Sequence, residues 1–174
     1  MEKWLSGFAS SYGGKLSIPR SSSWRGTTDL TFSKYQLVIP VANRSLEIEF
    51  LYREAYGRLG DHYQIRATMP VGLLGIKRVS ITKKSWWHIF YKSKVKTGIK
   101  SFDTTYAVRG DEAIAHKILD TERTVNTFIQ ASPVGLFIHT KKDRSAKLYG
   151  VYRHMPKEEL EAAVHIFYHL DTLF

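Results

Sequence analysis

Alternation of apolar and polar residues through the first half of the chain restricts the fold more than any other feature. Leu30 and Phe32 alternate with Thr31 and Ser33, and Tyr35, Leu37 and Ile39 follow in the opposite phase. Leu46, Ile48 and Phe50 alternate with Glu47 and Glu49; Tyr63, Ile65, Ala67 and Met69 alternate with His62, Gln64, Arg66 and Thr68. Successive strand side chains point to opposite faces, so a period of two describes strands with one buried and one wet face. That is the pattern of an antiparallel sheet. The connections Pro40 to Arg44 and Gly57 to Asp61 are short enough for hairpins. "GIKRVSIT" predicts a further strand with Val79 and Ile81 inward, and "PVGLFIHT" and "AKLYGVYRH" predict a hairpin across "KKDRS".

Helical spacing appears at both ends and in the middle. Trp4, Leu5, Phe8 and Tyr12 lie about one turn apart, and Gly13-Gly14 stops them. Next comes "IPRSSSWRGTTD", which has the Pro, Ser and Gly content of a loop, with Trp24 as a lid on the core. Further on, Phe102, Tyr106 and Val108 suit a strand. Asp111 is placed to cap a helix carrying the stripe Ile114, Ala115, Ile118 and Leu119. After a break at Asp120-Thr121, Val125, Phe128 and Ile129 continue the helical pattern. Pro156 suits the first turn of a last helix, where its missing N–H costs nothing. Leu160, Ala163, Val164, Phe167 and Leu170 line one face of it, and Glu158, Glu161, His165 and His169 the other.

The predicted fold is one α+β domain over residues 1–174. It is an antiparallel sheet of five or more strands with N-terminal, central and C-terminal helices packed on one face. The expected core holds Leu30, Phe32, Leu37, Leu46, Ile48, Phe50, Ile65, Val79, Ile81, Ile118, Phe128, Leu160, Val164 and Phe167.

Charge is uneven. The chain has a net charge of +10, yet residues 77–100 hold eight Lys and Arg and no acid. Within them, "KKSWWHIFYKSKVKTGIK" (83–100) places Trp86, Trp87, Phe90 and Tyr91 among lysines. Concentrated charge gives a stronger potential than dispersed charge, which points to an anionic partner; a solubilising lysine-rich loop is the bland alternative. Read with period two, one of Trp86 and Trp87 is core, and the segment is a strand-and-loop projection. The expected binding residues are Lys83, Lys84, Trp86, Phe90, Lys92, Lys94, Lys96 and Lys100.

The span "FDTTYAVRGDEAIAHKILD" resembles a motif of an uncharacterised bacterial α+β protein family. In that family a Phe-Asp strand, a Gly-Asp-like turn and a helix follow one another, here from Phe102 to Asp120. The element order is also similar to type III secretion chaperone-like folds. Neither resemblance implies an activity or a site.

Catalytic motifs are missing. No cysteine is available for a nucleophile or a thiolate metal site. "GLLGIK" lacks the spacing of a phosphate loop, and no nucleophile elbow or His-Glu-x-x-His pair occurs. Glu161, His165 and His169 can share a helical face, as a metal site requires, but no fourth ligand accompanies them. Asp103 and Asp111 flank a strand, where turn and cap roles account for both. The sequence therefore predicts a non-enzymatic binding module without a cofactor. It would engage a protein partner or an anionic membrane surface through residues 83–100, and a homodimer is left open. The alternatives are single-stranded nucleic-acid binding and a metal-dependent enzyme using the last helix's histidines. No export signal and no apolar run of spanning length are seen. A cytoplasmic location is expected, with peripheral membrane contact as a variant.

Overall fold

A computed structural model describes residues 1–25, 29–55, 62–72, 78–84, 95–139 and 144–174; within 18–25, 29–32 and 54–55 it describes the backbone alone. These residues form five helices and eight strands. In chain order they are α1 (Glu2–Ser11), β1 (Lys15–Arg25), β2 (Asp29–Val41), β3 (Arg44–Ala55), β4 (His62–Pro70), β5 (Arg78–Lys83), α2 (Lys100–Thr105), β6 (Tyr106–Gly110), α3 (Glu112–Ile118), α4 (Glu122–Ala131), β7 (Gly135–His139), β8 (Ser145–Tyr152) and α5 (Lys157–Leu173). All strands join one antiparallel sheet in the order β1-β2-β3-β4-β8-β7-β5-β6.

The alternation read from the sequence becomes one continuous row across that sheet. Leu16 pairs with Leu37, Leu37 with Ile48, Ile48 with Ala67, Ala67 with Leu148, Leu148 with Leu136, Leu136 with Ile81 and Ile81 with Val108. From Leu37 onward every member is buried. The same apolar cluster takes Leu5 and Ala9 from α1, Phe102 from α2, Ile114 from α3, Phe128 from α4 and Phe167 from α5. All five helices therefore cover one face of the sheet, and the opposite face carries none of them. Of the fourteen expected core residues, Leu30 and Phe32 lie outside the described side chains, and the other twelve are buried.

Two local readings are corrected. Residues 18–25, taken as loop, continue β1 as far as Arg25. The misleading signals were Pro19 and the serines. The register shifts between Ser17 and Arg20, so Pro19 falls at an irregularity of an edge strand, where its missing N–H is tolerated. Phe102, taken as strand, lies in α2 instead. There its ring meets Tyr106 at 5.1 Å and Phe128 at 5.7 Å, and packing in that aromatic triad decides its conformation. Tyr106 and Val108 are on β6 as expected. The Gly57 to Asp61 hairpin, the lid role of Trp24 and the choice between Trp86 and Trp87 lie outside the described residues.

The helix ends follow their residue chemistry. The Asp111 side chain accepts from the Ile114 amide at 3.0 Å and opens α3, and that of Thr121 accepts from the Thr124 amide at 3.2 Å and opens α4 after the break. The C-terminus of α4 is tied to the sheet. Tyr152 reaches over Gly150 and donates to the Ala131 carbonyl at 2.7 Å; a Cβ at Gly150 would collide with the ring. Beside it the Lys83 ammonium donates to the Ser132 hydroxyl at 3.3 Å.

Replacing Phe50 or Phe167 with Ala should cost about 3–5 kcal/mol in urea denaturation, and losses under ~1 kcal/mol at both would mean the faces are assigned backwards. Burial pushes the Tyr106 hydroxyl up to about 12, a Ser132 hydrogen bond partly opposing it, and raises Tyr152 as well. The neutral form is the one stabilised in the fold. That stability is complete below the unfolded tyrosine value near 10 and is lost as pH rises towards 12. Stability should therefore fall steeply from pH 10 to 12, and less steeply in Tyr106→Phe.

Candidate functional site

The face of the sheet that the described helices leave uncovered is built from the wet positions of the alternating strands. Lys34, Glu49, Arg66, Tyr149 and Phe137 sit on five adjacent strands, β2, β3, β4, β8 and β7, all on the side away from the helices. They form a connected ladder. Lys34 Nζ is 2.6 Å from Glu49 Oε1, and Arg66 Nη1 is 3.7 Å from Glu49 Oε2. The Arg66 guanidinium lies 5.1 Å from the centre of the Tyr149 ring, and that ring meets Phe137 edge-on at 6.0 Å. Cation–π and edge-to-face contacts at exposed sites are each worth about 0.5–1.5 kcal/mol, so the ladder holds side-chain positions more than it stabilises the fold.

Gly135 makes the end of the ladder possible. It lies opposite Tyr149, and a Cβ there would come within 2.9 Å of the Phe137 ring. Without one, the ring can lie across the glycine and reach Tyr149. Beside the ladder is a recess of about 270 Å³ lined by Glu47, Glu49, Arg66, Thr68, Lys147 and Tyr149. On the same face Phe137 is 38% exposed and Val151 51%.

β5 ends at Lys83, where the basic segment begins. The Lys83 amide donates to the Val134 carbonyl at 2.9 Å, and the Val134 amide donates to Tyr149 at 2.7 Å. Of the expected binding residues, Lys83 ends β5 and contacts Ser132, while Lys84 directs its ammonium to the Asp103 carbonyl. Lys96 and Lys100 are exposed, and Trp86, Phe90, Lys92 and Lys94 lie outside the described residues. Asp103 organises the turn before α2. Its carboxylate accepts from the Thr97 amide at 3.0 Å, the Thr97 hydroxyl at 3.1 Å and the Gly98 amide at 3.1 Å. Both carboxylates flanking β6 thus serve the backbone.

The helix histidines line a different cavity. Thr121, Arg123, Thr124, Thr127, His165, Ile166 and His169 surround about 310 Å³ between α4 and α5. His169 Nε2 is 3.7 Å from Asp120 Oδ1, and His165 packs against the Tyr12 ring. Among the described residues no group of three His, Asp or Glu is placed to hold a metal.

The sequence reading concentrated on residues 83–100 and missed the ladder. Its signal was present in the wet positions of the strands, where Arg66 and Tyr149 occur at polar phases, but no sequence pattern says which strands are neighbours. Replacing Gly135 with Ala should change stability by less than ~1 kcal/mol while displacing the Phe137 ring. Loss of ring-current shifts between Phe137 and Tyr149 in the NMR spectrum would report it; an unmoved ring would contradict the close approach.

Comparison with protein-family models, with curated proteins and with solved structures finds no match to this chain.

Proposed function

We propose that this protein is a non-enzymatic binding module that takes an anionic partner on its open sheet face, with the basic segment 83–100 adding positive charge to the chain. The observation that carries the reading is the ladder itself. It is an ordered run of two cations joined through Glu49 and two aromatic rings, on a face that the described helices leave uncovered. Charge segregation supports it. The last helix carries Glu158, Glu159, Glu161 and Asp171 against Lys157, whereas the open face presents Lys34, Arg66 and Lys147 beside Glu47 and Glu49, with Glu49 engaged by two of the cations. An anionic partner is thus disfavoured at α5 relative to the sheet face. Arginine and aromatic residues also contribute most per contact at interfaces.

Heparin-affinity chromatography along a salt gradient tests this. Arg66→Glu with Lys147→Glu should weaken retention on the order of tenfold or more, since each cation near an anionic surface is worth about 1 kcal/mol. Lys3→Glu with Lys157→Glu, on the helical side, should change it little. Equal shifts in both variants would remove the open face from the proposal. A third variant, Lys96→Glu with Lys100→Glu, measures the contribution of the basic segment.

A further inference from the structure

Independently of the open face, we infer that the cavity between α4 and α5 is a binding site for the phosphate group of a small organic phosphate. At about 310 Å³ it lies at the lower end of the range of small-molecule pockets, ~300–1,000 Å³. Its ionisable lining is Arg123 from α4 and His165 and His169 from α5, and no carboxylate belongs to it. Among the described residues the Arg123 guanidinium makes no ion pair and no hydrogen bond. His169 Nε2 is buried without a hydrogen-bond partner; Asp120 Oδ1 stands 3.7 Å from it, beyond hydrogen-bond reach and outside the cavity lining. A buried polar atom left unpaired costs free energy. A ligand acceptor in the cavity recovers it by giving the partly exposed His169 ring a partner to turn towards.

The chemistry favours an anion over the metal ion that a pair of helix histidines suggests. A guanidinium in the lining repels a dication, and among the described residues no third His, Asp or Glu completes a ligand set. Arg123 offers N–H donors and no acceptor, and each imidazole has at least one N–H in either protonation state. The Thr127 hydroxyl spends its proton on the Arg123 carbonyl at 2.9 Å, but Thr121 and Thr124 share one hydrogen bond of 2.8 Å, so one of their two protons stays free. These donors stand on two helices. A carboxylate has two oxygens in one plane, whereas a phosphate can give two oxygens to the Arg123 fork and a third to α5. Ile166 adds apolar surface for the organic part of the ligand. Glu122 and Glu161 neighbour the site in sequence without lining it. The carboxylates of α5 therefore oppose a polyanion laid along the helix more than a single phosphate held among the lining residues.

Isothermal titration calorimetry and NMR of the histidine rings test this with β-glycerophosphate, inorganic phosphate, acetate and zinc chloride, each titrated into the full chain. β-Glycerophosphate should bind and move the ring signals of His165 and His169, leaving those of His139 and His154 in place. Inorganic phosphate should bind more weakly at the same rings, and acetate more weakly still. Arg123→Gln should weaken β-glycerophosphate binding by about tenfold or more, the loss of a two-pronged charged hydrogen bond. His169→Gln should weaken it several-fold. Circular dichroism establishes that each variant is folded. Arg66→Glu with Lys147→Glu, on the open face, should leave β-glycerophosphate binding unchanged, and Arg123→Gln should leave heparin retention unchanged, so either reading can fail without the other. No binding of either phosphate at millimolar concentration would overturn the inference, as would indifference to Arg123→Gln in a folded variant. Acetate binding as tightly as β-glycerophosphate would overturn the choice of phosphate. Zinc moving both rings where the phosphates do not would replace the anion with a metal.

Discussion

The structure depends on the register of the sheet. Side chains alternate with a period of two, so a slip of one residue in any strand would send its apolar set to the other face. The row running from Leu37 through Ile48, Ala67, Leu148, Leu136 and Ile81 to Val108 exists because every pairing is in phase with its neighbour. The helices need that row. Leu160, Val164, Phe167 and Leu170 give α5 a buried stripe, and burying each such side chain stabilises by roughly 1.5–3 kcal/mol. Helix propensity differs among ordinary residues by only a few tenths of that, so packing on the sheet decides where α5 lies.

The same alternation that makes the core also makes the other face. Each buried Ile or Leu has an outward neighbour, and on β3, β4 and β8 those neighbours include Glu47, Glu49, Arg66, Lys147 and Tyr149. A sheet covered by helices on one side leaves these residues in contact across strands, and charge and aromatic pairs then form at the cost of side-chain freedom alone. The ion pairs are exposed, so they contribute little to stability. Their consequence is a fixed arrangement of donors, acceptors and rings over five strands, the property a recognition surface needs.

The fold was legible wherever the residue chemistry is local. Asp111 caps α3, Thr121 opens α4 after the expected break, and the chain enters α5 directly after Pro156. The reading failed where a neighbour overrode local preference. Pro19 and the serines after it look like a loop until β2 supplies hydrogen-bond partners along their length. Phe102 looks like part of a strand until Tyr106 and Phe128 offer it an aromatic pocket one turn into a helix. Attention to the lysines of 83–100 found real charge, but the described part shows Lys83 and Lys84 directed at Ser132 and the Asp103 carbonyl, contacts invisible in the sequence.

By itself the sequence determined the apolar face of the alternating strands, the starts of the capped helices α3 and α4, and that the chain carries a large positive excess, because periodicity, capping and charge are properties of neighbouring residues. Tertiary structure alone decided that β8 inserts beside β4, with β7 next and β5 beyond it. Strand order follows from long-range packing, not from any local signal. That order sets Tyr149 between Arg66 and Phe137, residues 83 and 12 positions away along the chain, and turns scattered wet positions into one surface.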